Sequence, residues 1–475
     1  MVSVPAGARS TCADVRLLGS DVHVTGADGR PRRYANLDYA ASTPALPEVW
    51  DAVAAFMPWY SSVHRGSGAK SQLATEAYEG ARHDVRAFVG APVGDDVVLV
   101  RNTTEALNVL AAALPPGTRV LGSPVEHHAN LLPWRRHDVE LLPFPESADA
   151  LCAATERALR GARRRFDIVA ITGASNVTGE LWPLERLAAI AHRHGARLVV
   201  DATQLAPHRP IDMAAAGIDF LAFSGHKLYA PFGAGALIGP VGGLGDAAPL
   251  LVGGGAIKLV TLDGTIWADA PDRYEAGSPN VVGAVALGAA CRALTHLGMA
   301  AVAEHERGLA ARLRRGLAGI PGLEPLTLWP GPVDRVGVVS FSLDGYRHPL
   351  LAAILSAEHA IGVRHGCFCA HPLIAHLLAL PEPEMRRYAR ELRAGGTPQL
   401  PGAVRASIGL GSTEEDVDRL VEALGGIARH GPAMRYEHVP EHDEYRPVCA
   451  ARPQPSPMKS RTSTSAPGRS SVSVP

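Results

Sequence analysis

Between residues 167 and 239 short apolar runs alternate with longer amphipathic ones, and that alternation leaves few folds open to the chain. "DIVAIT" (167–172) has the length and β-branched content of a strand. "PLERLAAIAHRHG" (183–195) carries apolar residues at helical spacing, with Pro at its first turn and Gly after its end. "RLVVDA" (197–202) is the next strand, "IDMAAAG" and "IDFLAFSGHK" repeat the unit, and "GAGALIG" (233–239) reads as one more strand. This is the pattern of an α/β domain, a mostly parallel sheet covered by helices. Ligands in such sheets sit beyond the carboxyl ends of the strands, so chemistry is to be sought there.

The same texture extends from about Ala35 to Leu297 and then changes. "MAAVAEHERGLAARLRRGLAGI" predicts a long helix, "VGVVSFSL" (336–343) a strand, and "TEEDVDRLVEALGGIARHG" (413–431) a closing helix opened by a capping box of Thr413 and Asp416. The expected organisation is an N-terminal segment (1–34) packing on the smaller domain, a large domain (35–297), a smaller α/β domain (298–431) and a disordered tail (432–475) rich in Pro, Ser, Arg and Thr. A chain of 475 residues with 47% hydrophobic content can fill two cores. Its 46 Lys and Arg against 47 Asp and Glu leave no basic excess for nucleic acid or an anionic membrane. No apolar window approaches the roughly 18 residues of a membrane span, and no signal peptide is read. Six scattered cysteines argue against a disulfide framework, so a cytoplasmic location is expected.

"FSGHKLYAPFG" puts Lys227 just past an apolar strand, behind Ser224, Gly225 and His226. A lysine there can form an imine with an aldehyde, while the hydroxyl, the imidazole and free backbone N–H groups can hold an anion. Most lysines are merely solvated, but "VVDATQ" shifts that balance. Asp201 ends the preceding strand at the same sheet edge, where a buried carboxylate needs a cation such as a protonated pyridine nitrogen, and Gln204 can reach a ring oxygen. "VVLVRNTTEALN" leads a strand (97–100) into a helix beginning near Thr104, so Thr103 and Thr104 can either bind phosphate or simply cap the helix. His127 and His128 of "SPVEHHANLLPW" can stack over a ring and move protons, lie at the surface, or bind zinc; Asn176 of "SNVTGE" follows the strand "DIVAIT". Lysine, aspartate and phosphate cradle together describe a pyridoxal phosphate site.

"VRHGCFCAHPL" (363–373) sets two cysteines one residue apart beside an arginine, a glycine and two histidines. Cations near a thiol favour its thiolate. Zinc would need about four ligands, and neither the usual spacing nor a distant second pair is present, so no metal is expected. A disulfide two residues apart would be strained and, in the cytoplasm, reduced. Plain packing remains the alternative for Cys367.

Taken in order, "LDYAAS" (37–42), "VHRG" (63–66), "TTEALN" (103–108), "EHHAN" (126–130), "SNVTG", "DATQ", "SGHKLYAPFG", "EAGSPN" (275–280) and "RHGCFC" (364–369) resemble the class V aminotransferase-fold enzymes. Within them the chain is most similar to the cysteine desulfurase and selenocysteine lyase group, in its Suf-type branch, from about Asn36 to Ile427. The resemblance implies pyridoxal phosphate fold type I, the aspartate-aminotransferase-like fold, and a homodimer with His64 and Arg65 near its interface. It implies desulfuration of L-cysteine to L-alanine, with the sulfur held as a cysteine persulfide until an acceptor removes it, a sulfur-acceptor protein being one candidate partner.

On that resemblance Lys227 bonds the cofactor aldehyde, Asp201 pairs with the ring nitrogen, Gln204 meets the ring hydroxyl, His127 stacks on the ring and Asn176 neighbours ring and substrate. Thr104, Ser224 and His226 become phosphate ligands beside Thr103, joined by Ser278 from a second subunit. Arg405 of "AVRASIG" holds the substrate carboxylate with help from Arg364, a bidentate task suited to guanidinium. The motif Arg, any residue, Gly, any two residues, Cys selects Arg364, Gly366 and Cys369, which makes Cys369 the nucleophile and leaves Cys367 at a variable position. Another class V reaction without a persulfide, such as selenocysteine or carbon–sulfur lysis, epimerisation or transamination, is the alternative. A non-catalytic sulfur-relay or regulatory protein is disfavoured by the presence of Lys227, Asp201 and His127. Ser278 stands where the family usually has threonine, and Asn102 where it usually has glycine. An unusually long segment between Cys369 and Arg405 contains a predicted helix, "EPEMRRYARELRAGG", placed where it can cover the site.

Overall fold

The computed structural model describes Cys12, residues 15–245 and residues 248–448. The apolar runs read as strands form one seven-stranded sheet in the order Asp96–Val100, Gly235–Gly239, Phe220–Ser224, Arg197–Asp201, Ile168–Thr172, Arg119–Gly122, Asp138–Leu141. Neighbours from Phe220–Ser224 to Asp138–Leu141 run parallel, whereas Gly235–Gly239 is antiparallel to both of its partners. The strands Ile168–Thr172, Phe220–Ser224 and Gly235–Gly239 are buried at every residue, as expected of strands covered on both faces. One covering helix is Leu184–Arg193, which turns Leu187, Ala188, Ile190 and Ala191 inward.

On the opposite flank Ala69–Phe88 packs along Val281–Leu297. A Cβ at Gly288 would come within 3.0 Å of the Ala81 backbone, so glycine sets how closely these helices approach. The buried Glu275 carboxylate ties the following loop to this layer, accepting from Arg82 Nη2 at 2.7 Å and Tyr78 Oη at 2.6 Å. At Gly298, in the left-handed region at φ +88°, the chain turns into Met299–Leu317 and a second core begins.

That core lies under a four-stranded antiparallel sheet in the order Leu323–Leu326, Val338–Leu343, Ala403–Ser407, Arg364–Gly366. It is closed by Glu414–His430, whose first turn carries the expected capping box of Thr413 and Asp416. The N-terminal strand Ala35–Asn36 pairs in parallel with Ile361–Gly362, and Arg33 donates to Asp416 at 2.6 Å. Asp38 thereby lies beside Ser407, at the seam between the two sheets.

The disorder expected beyond Pro432 does not hold for its first part. Tyr436–Val439 and Glu444–Pro447 form an antiparallel hairpin. Glu358 accepts from the N–H groups of Ala433 and Met434 and from Tyr436 Oη, while Arg347 makes a two-point pair with Asp443 at 2.8 and 3.0 Å. Side-chain anchors on a neighbouring helix, rather than a core of its own, order this polar segment; residues 449–475 of the expected tail lie outside the described residues. Among the described residues no single helix is long and apolar enough to cross a membrane.

Candidate active site

The carboxyl ends of the large sheet and the loop after Arg364–Gly366 enclose a cavity of about 260 Å³. Lys227, Asp201, Gln204 and His127 line it from the large sheet, and Arg405, Arg364 and Cys369 from the smaller one. Thr103, Thr104, Asn176, Ser224 and His226 complete it. Every site residue expected from one chain is therefore in one place. Ser278, which the resemblance assigns to a second subunit, lines a separate cavity with Glu275 and Asn280. His64 and Arg65 are exposed.

Burial sets the electrostatics. Lys227 is enclosed and has no hydrogen bond or ion pair among the described residues. Burial, reinforced by the Arg405 guanidinium, draws its pKa down to about 8. Asp201 accepts the Thr203 N–H at 2.9 Å, yet burial still pushes its carboxyl above the usual carboxylate range. Burial together with Lys227 pulls His127 down to about 3, so the ring is neutral, and its Nδ1 accepts the Ala129 N–H at 3.1 Å. That leaves Nε2 as the protonated nitrogen.

The phosphate side is built at the start of the helix Thr103–Ala113. Ser224 Oγ accepts the Thr103 N–H at 2.9 Å and lies 2.8 Å from Thr103 Oγ1, which also meets Thr203. Asn102 sits at φ −171°, extended backbone that any residue adopts, and its side chain caps the helix at Glu105 N. Its departure from glycine thus leaves the turn intact and supplies an N-cap.

Arg405 occupies a buried strand directly opposite Arg364. Nη1 donates to Asn176 O at 2.9 Å and Nη2 to Asp38 Oδ1 at 3.4 Å, while Arg364 lies 3.8 Å from Asp38 Oδ2. Two guanidiniums share one carboxylate, which leaves positive charge for an anionic substrate group. Burial lowers Arg405 to about 10, still charged at neutral pH. Among the described residues Gln204 Oε1 and Arg405 Nε are also fully buried in the site without a hydrogen-bond partner. Such orphans are costly unless a ligand completes them.

The cysteine loop bends through Gly366 (φ +110°), Phe368 (φ +53°) and Cys369 (φ +54°). A Cβ at Gly402 would come within 2.7 Å of Gly366 Cα, so the loop's entry crosses another glycine at close range. Asn176 Nδ2 donates to Phe368 O at 2.8 Å, and the His128 N–H to Cys369 O at 2.8 Å. Both cysteines are free thiols. Cys369 is exposed in the cavity wall, whereas Cys367 packs against the apolar core. Among the described residues no three His, Cys, Asp or Glu are grouped to hold a metal.

Three residues escaped sequence reasoning. Asp38 bridges the arginines, and its only signal was its place in "LDYAAS". Glu126 is buried behind His127, accepting from Asn130 Nδ2 at 2.7 Å and Thr172 N at 2.9 Å. His128, read with His127 as a stacking, surface or zinc-binding residue, instead holds the cysteine loop, its N–H donating to Cys369 O. The expected helix between Cys369 and Arg405 forms at Glu382–Arg393 but buries no residue and lines neither this cavity nor its neighbour, so it does not cover the site.

The sequence matches the aminotransferase class-V family over residues 35–420. It is 38% identical over 427 residues to a cysteine desulfurase of Klebsiella pneumoniae (strain 342), covering 87% of this chain and 97% of that protein. Among solved structures, the apo cysteine desulfurase of Thermococcus onnurineus NA1 is similar with a TM-score of 0.72 and 30% identity, over 83% of this chain and 95% of that one. The cysteine desulfurase CsdA of Escherichia coli, in an S-sulfonic acid form, gives a TM-score of 0.68 and 32% identity over 82% and 94% of the two chains.

Proposed function

This chain belongs to the class V aminotransferase family, and we propose that it is a pyridoxal phosphate-dependent cysteine desulfurase converting L-cysteine to L-alanine and retaining the sulfur as a persulfide on Cys369. The observation that carries this reading is an exposed Cys369 thiol in the wall of the cavity that encloses an unpaired Lys227.

The residues present fit the cofactor. Asp201 suits the ring nitrogen, the orphaned Gln204 Oε1 the ring hydroxyl, and the flat neutral His127 the ring face. Thr103, Thr104, Ser224 and His226 would hold the phosphate, with Ser278 contributed by a second subunit. When bound, pyridoxal phosphate supplies an electron sink for negative charge at the substrate Cα. Arg405, aided by Arg364, takes the substrate carboxylate and so fixes which bonds face Lys227 and Cys369. Lys227 Nζ, partly unprotonated near neutral pH, moves the proton at Cα. The Cys369 thiolate attacks the substrate Sγ; the Cβ–Sγ bond breaks, a bond from Cys369 Sγ to that sulfur forms, and Cβ takes up a proton to leave as alanine. Sulfur must then pass to an acceptor before the next turnover.

We extend the proposal to a homodimer. Trp50, Met57, Trp59 and Tyr60 are exposed, as are Leu259, Val260, Leu262 and Ile266 around the hairpin Ile257–Val260 and Thr265–Trp267. Apolar surface of this extent suits a partner subunit, and the distance of Ser278 from the cavity within one chain is explained by it. A solution mass corresponding to one chain would overturn this. Buried, unbridged Cys12, Cys152 and Cys291 support a reducing compartment.

The test is turnover of purified holoprotein with L-cysteine. Alanine and, under reductant, sulfide should appear in equal amounts. Cys369→Ala should abolish sulfide and Cys367→Ala preserve it, while Lys227→Ala should lose both turnover and the visible absorbance of the bound cofactor. If Cys369→Ala turns over cysteine as fast as wild type, the persulfide reading fails.

A further inference from the structure

Cys369 stands in a wall shared by two cavities. Behind it lies the cofactor pocket; in front is a second cavity of about 340 Å³, with Cys369, His127, Thr104 and Ala129 common to both. The outer part is formed by Asn108, His128, Leu132, Pro133 and Arg136. This volume suits a small ligand, and the proposed desulfuration mechanism assigns no role to Asn108, Leu132, Pro133 or Arg136.

The wall is fastened by His128 at two points. Its N–H donates to Cys369 O at 2.8 Å, and its ring Nε2 accepts the His371 N–H at 3.3 Å, with the two imidazoles stacked 5.1 Å apart at 8°. Cys369 is thereby presented to both cavities from a clamped segment. Burial first, then His371 and Arg135, keeps the His128 ring neutral, and burial does the same for His371. His127 is neutral as well, and no carboxylate lines the outer cavity. Arg136 is exposed and makes no hydrogen bond or ion pair among the described residues. Its guanidinium is an unspent anion site within the same cavity as the thiol.

Resting on the desulfurase reading, we propose that this outer cavity binds a small carboxylate-bearing thiol as the sulfur acceptor, its carboxylate held by Arg136 and its sulfur meeting Cys369. The acceptor thiol sheds its proton, and its thiolate attacks the outer sulfur of the Cys369 persulfide. The bond between that sulfur and Cys369 Sγ breaks as a bond to the acceptor sulfur forms. Cys369 Sγ leaves as a thiolate and takes up a proton equivalent to the one shed, so the acceptor departs as a persulfide without any further oxidant or reductant.

The test separates loading from discharge. Holoprotein is loaded with cysteine, small molecules are removed, and the protein-bound sulfane sulfur is quantified in each variant. Mercaptoacetate or mercaptoethanol is then added at matched thiolate concentration. Mercaptoacetate should discharge the sulfur about tenfold faster, the worth of one charge-assisted contact, and Arg136→Gln should erase that preference while Arg135→Gln keeps it. Equal discharge by the two thiols, a preference that survives Arg136→Gln, or discharge only by a protein cysteine would overturn the site. Calorimetric binding of mercaptoacetate to holoprotein and to Arg136→Gln judges the site separately. Failure to load sulfur counts against the desulfurase reading, and binding independent of Arg136 counts against the acceptor site.

Discussion

The strand ends that carry Asp201 and lead to Lys227 face the loop that carries Cys369 across a single cavity, yet the two are held by different forces. Asp201 and Ser224 close strands that are buried along almost their whole length, so their positions are fixed by the packing of the large sheet. The loop buries Phe368 and Ala370 but leaves Cys369 exposed, and it places two successive non-glycine residues, Phe368 and Cys369, at positive φ. Each such residue costs about 1 kcal/mol, offset here by the hydrogen bonds from Asn176 and His128. Groups that bind a cofactor gain from desolvation and rigidity, because both sharpen their electrostatics. A thiol that meets a donor on one side and an acceptor on the other gains from a perch that a few bonds hold.

Arg405 and Arg364 put the effect of burial to its strongest test, since they are cross-strand neighbours of which one is buried and the other exposed. Arg405→Gln removes a buried guanidinium and leaves Asp38 with only the more distant Arg364, and kcat/KM for cysteine should fall about 10³-fold, ~4 kcal/mol. Arg364 is largely solvent-exposed, so Arg364→Gln should cost about tenfold. Equal losses in steady-state kinetics would mean that burial confers no advantage.

The buried strand edge also carries a stability cost that the loop does not. An ordinary lysine keeps its proton up to 10.5, whereas Lys227 releases it above about 8. Between those values the unfolded chain binds the extra proton, so stability rises with pH; below about 8 the penalty is present in full. In cofactor-free protein at pH 7, Lys227→Met should therefore raise unfolding stability by about 3 kcal/mol, and the gain should shrink as pH climbs toward 10.5. Denaturant melts at pH 7 and pH 10 would show this, and an unchanged difference between them would contradict it.

The same division decides what could be read from the sequence. Uninterrupted apolar runs betray strands buried on both faces, and once the strands were placed, Asp201, Gln204 and Lys227 followed from where their strands end. Asp38 did not follow, because its partner Arg405 lies 367 residues away and no local pattern marks the pairing. Glu126 was hidden for a related reason: it lies in a loop, and its value is a buried bond to Thr172 at the end of a distant strand. The loop's positive φ values at Phe368 and Cys369 contradict local preference and arise from tertiary hydrogen bonds. The hairpin after Pro432 was mistaken for disorder because its composition is polar, and its anchors, Glu358 and Arg347, belong to a different part of the chain.

Asn176 joins the two regimes, standing beyond a buried strand while bonding the loop. Asn176→Ala removes the donor to Phe368 O and should lower kcat about tenfold with less than about 1 kcal/mol of global stability, since the loop can find water when it relaxes. Faster alkylation of Cys369 by iodoacetamide in the same variant would show that the loop, rather than the sheet, had loosened. A loss of several kcal/mol in global stability would instead place the loop within the rigid half.

The smallest effect is expected farthest from the seam, at the C-terminal hairpin. Arg347 and Asp443 form a two-point pair, but both side chains retain nearly a third of their exposure, so solvent screens much of the attraction. Arg347→Ala should cost less than about 1 kcal/mol overall and leave cysteine turnover within twofold. Its consequence should be local: hydrogen exchange at residues 436–447 should speed up while the strands at Asp201 and Ser224 stay protected. The hairpin nevertheless has a route to the loop, because His348 follows Arg347, bonds Leu400 O at 3.2 Å and stacks on His365 next to Gly366. If Arg347→Ala slowed turnover tenfold while melting remained unchanged, the hairpin would have to be counted among the supports of the cysteine loop.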